Sequence, residues 1–196
     1  MLDLDDLVLI VLKGSDGRVE GRTRLQKLAF FVSEILGVEA GFEPHIYGPY
    51  SSPVRSVTEA QVSRGIVSEE RKPWSSRGFS GHDLEQVRYD HALTEAGERA
   101  LQLRQQRDPS DFQRAEELVR RINSTGADYQ VLSWAAKLYW ILAKERGKPV
   151  PLQVVQKEAE QLGWHMSPED MQKGIELLKS LQLVTMVPLP AGQERR

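Results

Sequence analysis

The residues with the clearest capacity for chemistry lie between positions 18 and 79. Arg55, Ser56, Glu59 and Arg64 follow the stretch "YGPYSSPV" and fall off the apolar face of a segment with helical spacing. Arginine is the side chain that most often reads guanine, and such a set could reach phosphates or base edges. Arg71, Lys72 and Arg77 sit on or beside "PWSSRGFSGHD", together with Trp74 and Phe79. That mixture suits a grip on a sugar–phosphate backbone, though Glu69 and Glu70 dilute its charge. Arg18, Arg22, Arg24 and Lys27 form a third basic group, suited to positioning contacts without sequence information. Each set also has a plainer reading: a solvated face or, for Arg24 and Lys27, aliphatic stems laid over a core.

Aromatic residues offer a different chemistry. Tyr47, Tyr50, Trp74, Phe79, Trp134 and Trp140 are candidate partner contacts, because Trp and Tyr are enriched in binding anchors. For Tyr47 and Tyr50 a structural role beside Gly48-Pro49 explains the same residues, and for Trp134 and Trp140 a core helix does.

Enzyme chemistry finds little support. Of His45, His82, His91 and His165, no two stand i, i+4 on one helix, so a metal site is not expected. There is no cysteine, no Gly-x-Ser-x-Gly elbow and no phosphate-binding glycine loop. Asp3, Asp5 and Asp6 read as acids favoured at a helix start. The expectation is a non-enzymatic protein without cofactor, metal or evident small-molecule ligand. A net charge of −2 gives no overall pull toward nucleic acid, so such binding must come from a local patch. The apolar run near the start is too short for a bilayer and is flanked by acids, which leads to the expectation of a cytoplasmic protein that does not contact membrane.

Elements able to position these residues follow from periodicity. Helices are expected at 2–13, at 23–36 with Thr23 and Gln26 at capping-box spacing, and at 53–64 with Val54, Val57 and Ala60 inward. A very short strand fits Val19-Glu20. "GIVSEERK" and "LEQVRYDHAL" read as strands joined by a long loop, and Thr94 caps a helix with Ala96, Ala100, Leu101 and Leu103 inward. This order is that of a winged helix, with the third helix as reader and the loop as wing. Further helices are expected from Pro109 with Phe112, Ala115, Leu118, Val119 and Ile122 in register, from Tyr129, from Pro151 and from Ser167. "LVTMV" reads as a terminal strand. The fold class is therefore α+β and mostly α. A winged-helix domain occupies 1–107, a connecting helix and linker 108–127, and a helical domain 128–196 whose plan echoes the first half.

"RTRLQKLAFF", "FEPHIYGPYS", "GIV" and "YDHALTEAG" together resemble the YwgA-like proteins, related in pattern to the Panacea (SocA-like antitoxin) domain. The likeness covers roughly residues 1 to 105. It implies a winged-helix core without catalytic residues and leaves two partners open. The leading expectation is a DNA-binding transcriptional regulator; the alternative is a protein-interaction module, antitoxin-like or a subunit of a larger complex, with a protein partner or a second copy of the chain.

Overall fold

The computed structural model describes residues 2–77, 83–144 and 150–184. The fold is α+β and mostly helical, with eight helices, a three-stranded antiparallel sheet and a two-stranded one formed by Phe42–Glu43 and Tyr50–Ser51 among the described residues. The first half runs α1 (Leu4–Lys13), β1 (Arg18–Val19), α2 (Arg22–Leu36), β2 (Phe42–Glu43), β3 (Tyr50–Ser51), α3 (Ser52–Ser63), β4 (Val67–Arg77), β5 (Asp83–Leu93) and α4 (Glu95–Gln105). The rest is α5 (Pro109–Ser124), α6 (Tyr129–Lys144), α7 (Leu152–Gln161) and α8 (Pro168–Ser180).

Local chemistry explains most boundaries. Asp3 caps α1 in a reciprocal box with Asp6, so the early acids are helix-start residues. Ser51 caps α3 by accepting from Val54 N, and Pro53 stands in the first turn, where a missing N–H is harmless. Thr94 caps α4 and Ser167 caps α8. The cap expected for α2 is different. Gly21, not Thr23, precedes the helix, at φ 85°, and no side chain caps it. Gln26 is buried and committed elsewhere, so it cannot close a box with Thr23.

The order of the three-stranded sheet is β1-β5-β4. β4 and β5 pair in register from Val67↔Leu93 to Arg77↔Asp83, so "PWSSR" is strand rather than loop. Pro73 is tolerated because β4 is an edge strand with one open side. Residues 78–82 of the expected loop, Phe79 and His82 among them, lie outside the described residues. β1 pairs only with Ala92 and His91 at the base of the hairpin.

α3 buries Val54, Thr58 and Gln61, while Val57 is only partly covered. Two polar side chains thus face inward where the apolar spacing points to Val57 and Ala60. Gln61 donates to the Asp5 carbonyl at 3.0 Å, and Thr58 to Val54 O at 2.8 Å. On α4, Leu101 is buried but Leu103 is exposed. α5 buries the five residues expected of it. α6 is buried on both apolar sides, packing on α2 and α8 of its own chain. One continuous core joins α1, α2, α5, α6 and α8. Leu183 and Val184 are not in a strand, and the rest of "LVTMV" lies outside the described residues. No helix among the described residues is long and apolar enough to cross a membrane.

Candidate functional site

α3 turns Ser52, Arg55, Ser56, Glu59, Ser63 and Arg64 outward. Because Val54, Thr58 and Gln61 hold the opposite side, Ser52, Arg55, Ser56, Glu59 and Ser63 share one solvent face, while Arg64, just past the helix end, turns toward Asp5 of α1. Arg55 Nε donates to Glu59 Oε1 at 2.8 Å, and that hydrogen bond holds the Glu59 carboxyl below its ordinary range. Arg64 lies 3.9 Å from Asp5.

The other basic residues are placed as follows. Arg22 donates to Glu69 at 2.9 Å and its guanidinium stacks 3.8 Å above the Tyr89 ring. Lys72 reaches Glu70 at 3.3 Å and Asp90 at 3.7 Å. Arg71 is exposed on β4, and Arg77 closes the described part of that strand opposite Asp83. Arg24 is turned away from this surface: it donates to Ala127 O and Asn123 Oδ1, both at 2.7 Å, tying α2 to the end of α5. Burial is the main influence on its guanidinium, lowering its pKa. Arg22 and Arg55 are thus brought to the space between α2, α3 and the hairpin, Lys72 lies with Asp90 on the other face of the hairpin, and Arg64 stands beside α1, each already near a carboxylate.

A cleft of about 70 Å³ separates α2, α3 and the hairpin, lined by Arg22, Gln26, Tyr50, Arg55, Glu59 and His91 among others. His91 is 2% exposed, and its Nε2 lies 3.0 Å from Glu69 Oε2. A carboxylate only accepts, so Nε2 carries the proton. Burial lowers the pKa of His91 despite Glu69, which keeps the ring neutral. Behind the cleft, Asp90 is 2% exposed and accepts from Gly21 N at 3.1 Å, Arg18 at 2.8 Å and Arg88 at 2.9 Å. Burial raises its pKa, but the Arg88 and Arg18 hydrogen bonds and charges outweigh burial and leave it below the ordinary range. Asp90→Asn keeps the shape and the acceptor for Gly21 N but removes the charge that Arg88 and Arg18 face. It is expected to destabilise the fold by about 3 kcal/mol at pH 7, measured by urea unfolding.

The lead-in to α3 is clamped from two sides. From α2, Gln26 donates to Ser51 O at 3.0 Å and accepts from Ser51 N at 2.9 Å. Its neighbour Lys27, 1% exposed, donates from Nζ to Pro49 O at 2.7 Å. From the second half, the Trp164 indole N–H donates to His45 O at 2.7 Å, and the Lys137 ammonium lies 5.8 Å from the Trp164 ring. Ser51 also donates to Ala40 O. Gly48 sits between the lysines at φ 89°, where a Cβ would come within 3.1 Å of Lys137 Cγ and 3.4 Å of Lys27 Cε. Only glycine suits that turn and that gap.

The aromatic candidates divide. Tyr47 is exposed and Tyr50 half-buried, and the His45 ring lies 5.9 and 5.3 Å from them. Trp134 is buried on α6, and Trp140 is partly buried 6.2 Å from Phe30. The backbone of Trp74 pairs with Gln86 in the hairpin.

Sequence reasoning missed Lys27 as a buried anchor and missed Gln26, Asp90, Lys137 and Trp164. The available signal was a lysine set inside an unbroken apolar helix, twice: "LQKLAFF" and "WAAKLYW". Compared with protein-family models and with curated proteins, the chain matches none.

Proposed function

We propose that the chain is a non-enzymatic DNA-binding regulator of winged-helix plan, with α3 in a major groove and the β4–β5 hairpin along the backbone. One observation carries this reading: a solvent-facing helix bearing Arg55, Ser56, Glu59 and Arg64, standing beside a two-stranded arm that bears Arg71 and Lys72. Helix-turn-helix proteins dock their reading helix in this manner. The resemblance of "LQKL" and "YGPYS" to YwgA-like and Panacea sequences supports the same core plan.

The test is fluorescence anisotropy with a random duplex pool over a salt series. Engaging phosphates through Arg55, Arg64, Arg71 and Lys72 gives a log–log salt slope of roughly −4, about a hundredfold loss of affinity from about 50 to 200 mM salt. Replacing Arg55 and Arg64 together with Ala is expected to weaken binding and cut the slope by about 2. Unchanged binding removes α3 from the account.

The pairing of Arg22, Arg55, Arg64 and Lys72 with carboxylates favours a second reading. A surface whose charges already cancel has little attraction for a polyanion and suits a protein partner, as in an antitoxin-like module. Under that reading the duplex pool binds weakly and with a slope near zero.

A further inference from the structure

We propose that Lys27 and Lys137 form a proton-operated latch on the segment leading into α3, closed while at least one amine is neutral and released when both are charged. The geometry supplies the latch. Both side chains are buried, 1% and 2% exposed, on different helices, and they flank Gly48 in the turn that precedes Pro49 and the α3 cap. The Lys27 amine is bonded to the turn through Pro49 O, and the Lys137 stem packs at Gly48.

The two sites are not equivalent. Lys137 has the Trp164 ring 5.8 Å from its ammonium and feels the attraction of Asp170 from the start of α8, so a proton there is accommodated. Lys27 faces His45 from the lead-in segment and Lys137 from α6, and among the described residues it has no carboxylate partner. Its charged form presents three N–H donors, and Pro49 O accepts one of them. Burial holds Lys27 at about 7 and Lys137 at about 8, with the Lys137 charge further disfavouring a proton on Lys27. The pair therefore takes up its protons in two coupled steps around neutrality. The second proton puts like charges side by side in a dry site, and the cheapest relief is to let the 45–51 segment lift and admit water.

This inference does not depend on the DNA reading, and its test is made without DNA. In the full chain, NMR follows the Trp164 indole N–H and the amides of Gly48 and Ser51 from about pH 5.5 to 9.5. The expected result is a two-step titration with midpoints near the values above. Exchange protection of Gly48 and Ser51, corrected for intrinsic rates, should fall about tenfold across the lower step. Lys27→Met should abolish the lower step and keep protection at low pH, Lys137→Met should abolish the upper step, and His45→Gln should leave both. A flat profile overturns the proposal. So does a response that survives in the Lys27→Met, Lys137→Met double variant or disappears with His45→Gln.

Discussion

Lys27→Met is expected to make the protein more stable at pH 7, although it deletes a hydrogen bond. Unfolded, Lys27 keeps its proton up to about 10.5; folded, it holds one only below about 7. Between those limits the unfolded chain binds the extra proton, so stability rises with pH at up to about 1.4 kcal/mol per unit. At pH 7 most of that penalty is present, of the order of 4 kcal/mol. Methionine has nearly the same length, fills the same channel and needs no solvation. Against the gain stands the bond to Pro49 O, about 1 kcal/mol. The net expectation is a gain of about 2 to 3 kcal/mol at pH 7, shrinking toward zero as pH approaches 10. Urea midpoints at several pH values check it: between about pH 7 and 8 the wild-type midpoint should climb and the variant's stay nearly level, while above pH 8 Lys137 makes both climb. Parallel curves would show that burial does not perturb Lys27.

The second large effect is expected at Gly97→Ala. Gly97 is the last residue of "LTEAG", in the first turn of α4, where the helix crosses the start of the hairpin. Thr94 Oγ1 donates to Gly65 O at 2.7 Å and accepts from Gly97 N at 3.1 Å, drawing the turn against residues 65 and 66. A Cβ on Gly97 would lie 2.2 Å from Ile66 O, a backbone atom that no rotamer change can move. Either α4 or the base of β4 must shift, at a cost of about 3 kcal/mol. Gly65→Ala is the control. Gly65 has φ 70° with nothing near its Cβ position, so alanine there adds only backbone strain of about 1 kcal/mol. Thermal unfolding of both variants should separate them clearly; equal effects would mean that the α4–hairpin contact yields easily.

These two sites also mark what the sequence discloses. The starts of α5 and α8 were legible, α5 from Pro109 and its apolar register and α8 from the Ser167 cap and Pro168. On α3 the Ser51 cap and Pro53 marked the helix start, but its inward face was only half legible, because Thr58 and Gln61 rather than Val57 and Ala60 are buried. The hairpin was found but its length was not: Pro73, Ser75 and Ser76 have loop composition, and only pairing with Leu84–Val87 makes them strand. Pairing of that kind is a long-range fact. The same holds for the clamp. Lys27 reads as a basic contact or a stem laid over the core, and Lys137 draws no reading, because lysine rarely enters a core. Their burial depends on Pro49 and Trp164, which lie 22 and 27 residues away, respectively. Gln26 fits a local cap by spacing, yet its partner is Ser51 across the fold.

The recognition role proposed for α3 can be tested most directly through Ser56. The chain has no cysteine, so Ser56→Cys places a single thiol on the outward face of α3, between Arg55 and Glu59. Coupled to a photo-cross-linker and irradiated at low salt with random duplex DNA and with native extract, it reports what that face meets. The account expects covalent DNA adducts that fade as salt is raised. A discrete protein adduct, with no DNA captured at any salt concentration, would contradict it.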